Sequence, residues 1–129
     1  MLVAYAAVLI SFLVLDAIWL KAVIGPVFES DVPQLLAESP RLGVAAGFYA
    51  IYCIGIVWFA VRPALAGGGI GSAILNGAIL GLMAYGCYEA TNMATLKGWT
   101  WRMLGFDIAW GTVLTATTAA VGTWAARAV

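Results

Sequence analysis

The feature that most constrains this chain is the length of its nearly uncharged runs. Four of them, about 2–24, 43–65, 70–96 and 103–126, are apolar over enough residues to cross a hydrocarbon core roughly 30 Å thick. At that depth backbone N–H and C=O groups have no water to pair with, so each run must satisfy them internally as a helix. The 129 residues are 64% hydrophobic and 9% charged, against ~25% charged in soluble domains, which points away from a water-soluble fold. The expectation is all-α: a single four-transmembrane-helix bundle over 1–129, integral to a membrane, with an extramembrane loop at 25–42. The first run reads as a helix of the mature protein, because Met1-Leu2-Val3 carries no basic side chain and Asp16 breaks the apolar core that a signal peptide would need.

Pro26, Pro33 and Pro40, with Glu29, Asp31, Glu38 and Arg41, mark the loop. A short helix can start there at Asp31 or Val32 with Pro33 in its first turn, resting Val32, Leu35 and Leu36 on the membrane surface; an irregular acidic loop fits the same residues. Gly67-Gly68-Gly69 predicts a tight reversal that makes the second and third runs antiparallel neighbours. Lys97-Gly98-Trp99-Thr100-Trp101-Arg102 is a short connection rich in interface anchors. Gly43-x-x-x-Gly47 and Gly77-x-x-x-Gly81 each allow a second backbone to come close, by default one from the same chain.

Against this apolar background three carboxyls stand out: Asp16, Glu89 and Asp107 lie inside the runs. A charge at membrane depth costs a few kcal/mol, so such a group faces a bundle interior or wet cavity and has a partner. Asp16 lies toward the end of the first run, Glu89 toward the end of the third and Asp107 toward the start of the fourth, which puts all three in one leaflet, about 7 to 12 Å below its surface at ~1.5 Å per residue. Tyr85, Glu89 and Asn92 are spaced i, i+4, i+7, and so share a helix face, with Tyr88 beside them. Asp16-x-x-Trp19 and Asp107-x-x-Trp110 each put a carboxyl and an indole on one face. Lys21, Lys97 and Arg102 lie at the same end and are long enough to reach inward as supporting charges.

Other chemistries find little purchase. Histidine is absent, which removes His-ligated haem, histidine ligation of chlorophyll, His-based zinc and the commonest general base. No metal-ligand spacing is present, so no metal or cofactor is expected, although lipid, carotenoid or quinone contact is compatible with the aromatic content. The net charge of zero gives no reason to expect nucleic acid. No base adjoins Thr91 or Cys87 in sequence, so the chain is not expected to be an enzyme. Cys53 and Cys87 read as small buried hydrophobes.

The sequence resembles the domain of unknown function 2177 family, small bacterial inner-membrane proteins. The resemblance rests on Leu15-Asp16-Ala17-Ile18-Trp19-Leu20, Phe48-Tyr49, Ala84-Tyr85-Gly86-x-Tyr88-Glu89-x-Thr91-Asn92-x-Ala94-Thr95-Leu96 and Asp107-x-Ala109-Trp110-Gly111-Thr112. It implies a multi-pass protein of the bacterial inner membrane with four helices and supplies no activity. The family often carries Asp where this chain has Glu89, which keeps the charge but moves it.

Three readings of the polar residues remain open. They can form a structural network that fixes how apolar helices pack, in which case the carboxyls pair with each other or with the bases and leave no cavity. They can form a site, walled by Trp19, Trp110, Tyr85 and Tyr88, for a small cation, a proton or a lipid head group; transport by so few helices would call for a homodimer. Or the protein can be an accessory subunit of a larger respiratory, photosynthetic or lipid-modifying membrane complex. Lys21, Arg41, Lys97 and Arg102 against Arg62 and Arg127 place the first and third connections in the cytoplasm.

Overall fold

The computed structural model describes residues 1–129 and is helical almost throughout. Helix α1 (Leu2–Trp19) runs through a wide π-type turn (Leu20–Ile24) into α2 (Gly25–Asp31), and a single 3-10 turn (Pro33–Leu35) follows. Helix α3 (Leu42–Ile56) continues through wide turns at Val57–Val61 and Ala64–Gly68 to α4 (Gly69–Thr95), and α5 (Trp101–Arg127) completes the chain. The loop therefore holds less irregular structure than its prolines suggest: the first helix persists to Asp31, and only one turn, not a new helix, starts at Pro33.

Three continuous helical stretches are long and apolar enough to cross a membrane: Leu2–Asp31, Leu42–Thr95 and Trp101–Arg127. The expected second and third spans are thus joined into one stretch of 54 residues. That stretch is not straight. Gly67 and Gly69 take φ of 124° and 80°, open to glycine alone at no steric cost, and the chain doubles back there. An unbroken helix would hold Tyr52 and Tyr85 about 50 Å apart, yet their ring centroids are 6.4 Å apart.

The two π-type turns that precede a proline have one cause. Pro26 and Pro63 have no N–H and their rings crowd the carbonyl four residues back, so the preceding residue reaches one carbonyl further, Gly25 to Leu20 and Arg62 to Val57.

The core runs the length of the bundle. Ala4, Val8, Phe12 and Asp16, four residues apart, are the buried face of α1 and lie against α5 and α3. Helices α4 and α5 meet backbone to backbone: a Cβ at Gly77 would come within 2.8 Å of the Thr115 carbonyl, and one at Gly81 would collide with Gly111. This second glycine pair therefore packs within the chain, as expected. Gly43 and Gly47 have open space around them and serve no contact here. The buried Tyr52 hydroxyl bonds the Thr115 hydroxyl at 2.8 Å, which ties α3 to α5.

Candidate functional site

The helices bring the three carboxyls to one end of the bundle and bury them: Asp16 is 4%, Glu89 0% and Asp107 8% exposed. Each has a reason to be held. Antiparallel packing of α1 on α5 lets Trp110 Nε1 donate to Asp16 Oδ1 at 3.2 Å. The Trp19 ring stacks on Trp110 with centroids 4.7 Å apart and planes within 6°. The two Asp-x-x-Trp pairs thus interlock across the helix interface, with the indole of one serving the carboxyl of the other. The interlock is half made, because Trp19 Nε1 is buried without a partner.

Glu89 accepts from Trp99 Nε1 at 2.9 Å, and its other oxygen has no partner. The Asp107 carboxyl, from α5, lies close to Glu89 of α4. Asp16 has the Tyr49 hydroxyl beside it, while its Oδ2 is buried and unpaired. These carboxyls do not gather closely enough to form a metal-ligand set.

Asp16 and Asp107 line a cavity of about 350 Å³. Most of its remaining wall is aromatic: Phe12 and Trp19 from α1, Phe28 from α2, Phe48, Tyr49 and Tyr52 from α3, Tyr85 and Tyr88 from α4. Tyr85 is seated by the absence of a side chain at Gly111, where a Cβ would run into its ring. The combination of negative groups, ring faces and apolar surface suits a positively charged group that also carries carbon.

Of the residues singled out from sequence, Asp16, Trp19, Tyr85, Tyr88 and Asp107 line the cavity. Glu89 and Trp110 stand immediately behind it, bonded to Trp99 and Asp16. Asn92 lies beside the Tyr88 hydroxyl and outside the cavity wall. The expected supporting charges are not there. Arg102 forms a two-pronged pair with Asp31, Nε to Oδ2 at 2.9 Å and Nη2 to Oδ1 at 2.7 Å, and no ion pair involves Lys21 or Lys97. All three bases are exposed on the outside of the bundle, where water solvates them, and Asp31 offers Arg102 a fork-shaped partner without burial.

Arg102 first, and then the Thr100 hydroxyl donating at 2.6 Å, hold the Asp31 carboxyl below the usual carboxylate range; Asp31 lies on α2, beyond the expected span 2–24. Phe12, Phe28, Phe48, Tyr49, Tyr52 and Trp99 were not singled out as site residues. The cluster Phe48-Tyr49-x-x-Tyr52 on one helix was the available signal for three of them. Cys53 is buried as expected, but Cys87 is exposed on the outer face of α4.

Neither a curated protein nor a solved structure matches the chain. A family model described as "Predicted membrane protein (DUF2177)" matches residues 1–124, nearly the whole of the apolar architecture and every residue of the cavity. This is a membrane protein of the DUF2177 family.

Proposed function

We propose that this protein crosses the bacterial inner membrane four times and binds a small organic cation in its aromatic and carboxylate cavity. The four crossings take the reversal at Gly67–Gly69 as a turn at one membrane surface, with Asp16, Glu89 and Asp107 together in the opposite leaflet. The binding role rests above all on the cavity of about 350 Å³, which has two carboxyls in its wall and no basic side chain among its lining residues. A purely structural network calls for acids paired with one another or with bases and for a filled interior. Instead Asp16 and Glu89 each keep a buried oxygen without a partner.

The role proposed is recognition, with the carboxyls in the wall balancing the ligand's charge. The accessory-subunit reading has one observation in its favour, the open face at Gly43 and Gly47, against which another helix could pack.

The test is thermal melting of the purified protein in an uncharged detergent, titrated with tetramethylammonium chloride against sodium chloride at equal ionic strength. A ligand at ~100 times its Kd stabilises by about 2.7 kcal/mol. The wild type is expected to melt higher with tetramethylammonium, and the Asp16→Asn, Asp107→Asn double variant to be unresponsive. Identical melting of the wild type in both salts across the titration refutes the proposal.

A further inference from the structure

The cavity is shut toward the loops and open on the flank of the bundle. At the loop end the Phe28 ring lies 5.5 Å from Trp99, and Trp99 in turn lies 6.2 Å edge-on from Tyr88. Val32 is buried in the same cap, and Asp31 secures it to Thr100 and Arg102. On the flank, three residues of the cavity wall face outward: Leu20 is 44%, Phe48 59% and Tyr88 52% exposed. Phe48 shares its helix face with the exposed Val44 and Ile51, so its outer side belongs to apolar surface that acyl chains cover in a bilayer. Helix α3 packs along α1, and its hairpin closes on α4 mainly through the residues from Val57 onward. The gap between α3 and α4 therefore widens toward Phe48 and Tyr88.

The size of the cavity completes the argument. About 350 Å³ is at the lower end of the ~300–1,000 Å³ that encloses drug-sized ligands, enough for a head group and too little for a long chain beside it. Asp16 and Asp107 are the acidic residues of its wall.

Building on the cation-binding reading, we infer that the ligand is an amphiphile that enters sideways from the bilayer. Its ammonium-bearing head group sits against Asp16 and Asp107 while its hydrocarbon chain leaves between Phe48 and Tyr88. The carboxyls and ring faces hold the positive nitrogen. The chain stays in hydrocarbon throughout, so no apolar surface has to pass through water.

A series of trimethylammonium probes in discs of an uncharged glycolipid bilayer tests this: tetramethylammonium, hexyltrimethylammonium and dodecyltrimethylammonium, with dodecanol as the uncharged control. Binding is read from protein melting, with each probe's membrane partition measured on protein-free discs. A flank that is open keeps the partition-corrected affinity within about threefold along the series, whereas a sealed cavity costs the dodecyl probe about tenfold or more, 1.4 kcal/mol per factor of ten. The open-flank result is expected, with dodecanol inert and with all three cations inert on the Asp16→Asn, Asp107→Asn double variant. Binding of tetramethylammonium with loss of the dodecyl probe overturns the sideways route alone. Failure of tetramethylammonium as well overturns the cation-binding reading beneath it, and a shift by dodecanol equal to that of the dodecyl cation overturns the ammonium requirement.

Discussion

Trp99→Phe removes the one hydrogen bond that reaches Glu89. Nε1 donates over 2.9 Å to a carboxyl that is fully buried and whose second oxygen has no partner, so the substitution leaves the group without a donor. A phenyl ring retains much of the contact with Phe28 and Tyr88, at 5.5 and 6.2 Å in the wild type, which isolates the polar loss. Hydrogen bonds to charged groups contribute about 1.5–3 kcal/mol, while those measured inside membrane bundles average ~0.6 and reach ~1.7. The two ranges meet near 1.5 kcal/mol, the loss expected here. For a chain of this size that is a fall in melting temperature of about 5–9 °C, at roughly 3–6 °C per kcal/mol.

The assay is melting in uncharged detergent followed by circular dichroism, on Trp99→Phe, Glu89→Leu and the double variant. In the Glu89→Leu background, where no acceptor remains, Trp99→Phe is expected to cost less than about 0.5 kcal/mol. Trp101→Phe is the control: this neighbouring indole is 73% exposed and should change stability by less than about 0.5 kcal/mol. Equal losses from Trp99→Phe with and without Glu89, or a loss no larger than that of Trp101→Phe, would refute the reasoning.

Two further outcomes follow from the packing and from the cap. Gly81→Leu forces a side chain into the Gly111 backbone and should destabilise by about 1–3 kcal/mol, whereas Gly47→Leu, with nothing within 4 Å, should fall within about 0.5 kcal/mol of wild type; similar melting of both variants would contradict the helix contact described. Arg102 holds the Asp31 carboxyl below its unfolded value of ~3.9, so this pair stabilises above ~3.9 and its contribution is lost as pH falls through the lower folded value. The melting difference between wild type and Arg102→Gln should accordingly be present at pH ~6 and shrink below ~3.9, and a difference independent of pH would count against the clamp.

The buried acids were legible because a carboxyl in an apolar run is expensive wherever the fold puts it, so Asp16, Glu89 and Asp107 announced an interior destination. Their i, i+3 indoles were legible as faces, but not the exchange by which Trp110 serves Asp16, since that depends on the register of α1 against α5. The bases were misread for the opposite reason. Lys21 and Arg102 are near the acids along the chain, but an exposed base is satisfied by water, and Arg102 finds Asp31 from 71 residues away. Two identical glycine spacings met different fates, Gly77 and Gly81 against α5 and Gly43 and Gly47 in the open, because the motif permits close approach without supplying the neighbour. Phe12, Tyr49 and Tyr52 could not be told from ordinary aromatic side chains of a membrane helix until three helices converged on them.

The spacing of the cavity wall along the first helix carries a consequence for its length. Phe12, Asp16, Trp19, Leu20, Ile24 and Phe28 are its wall residues, and the wide turn Leu20–Ile24 among them holds one residue more than a regular α-helical turn. That surplus residue sets the phase of the half after Pro26 relative to the half before it. Each residue turns a helix by about 100°, so excising Val23 would swing Phe28 and Val32 away from the bundle as a unit, uncovering the roof of the cavity while every side chain that forms it was still present.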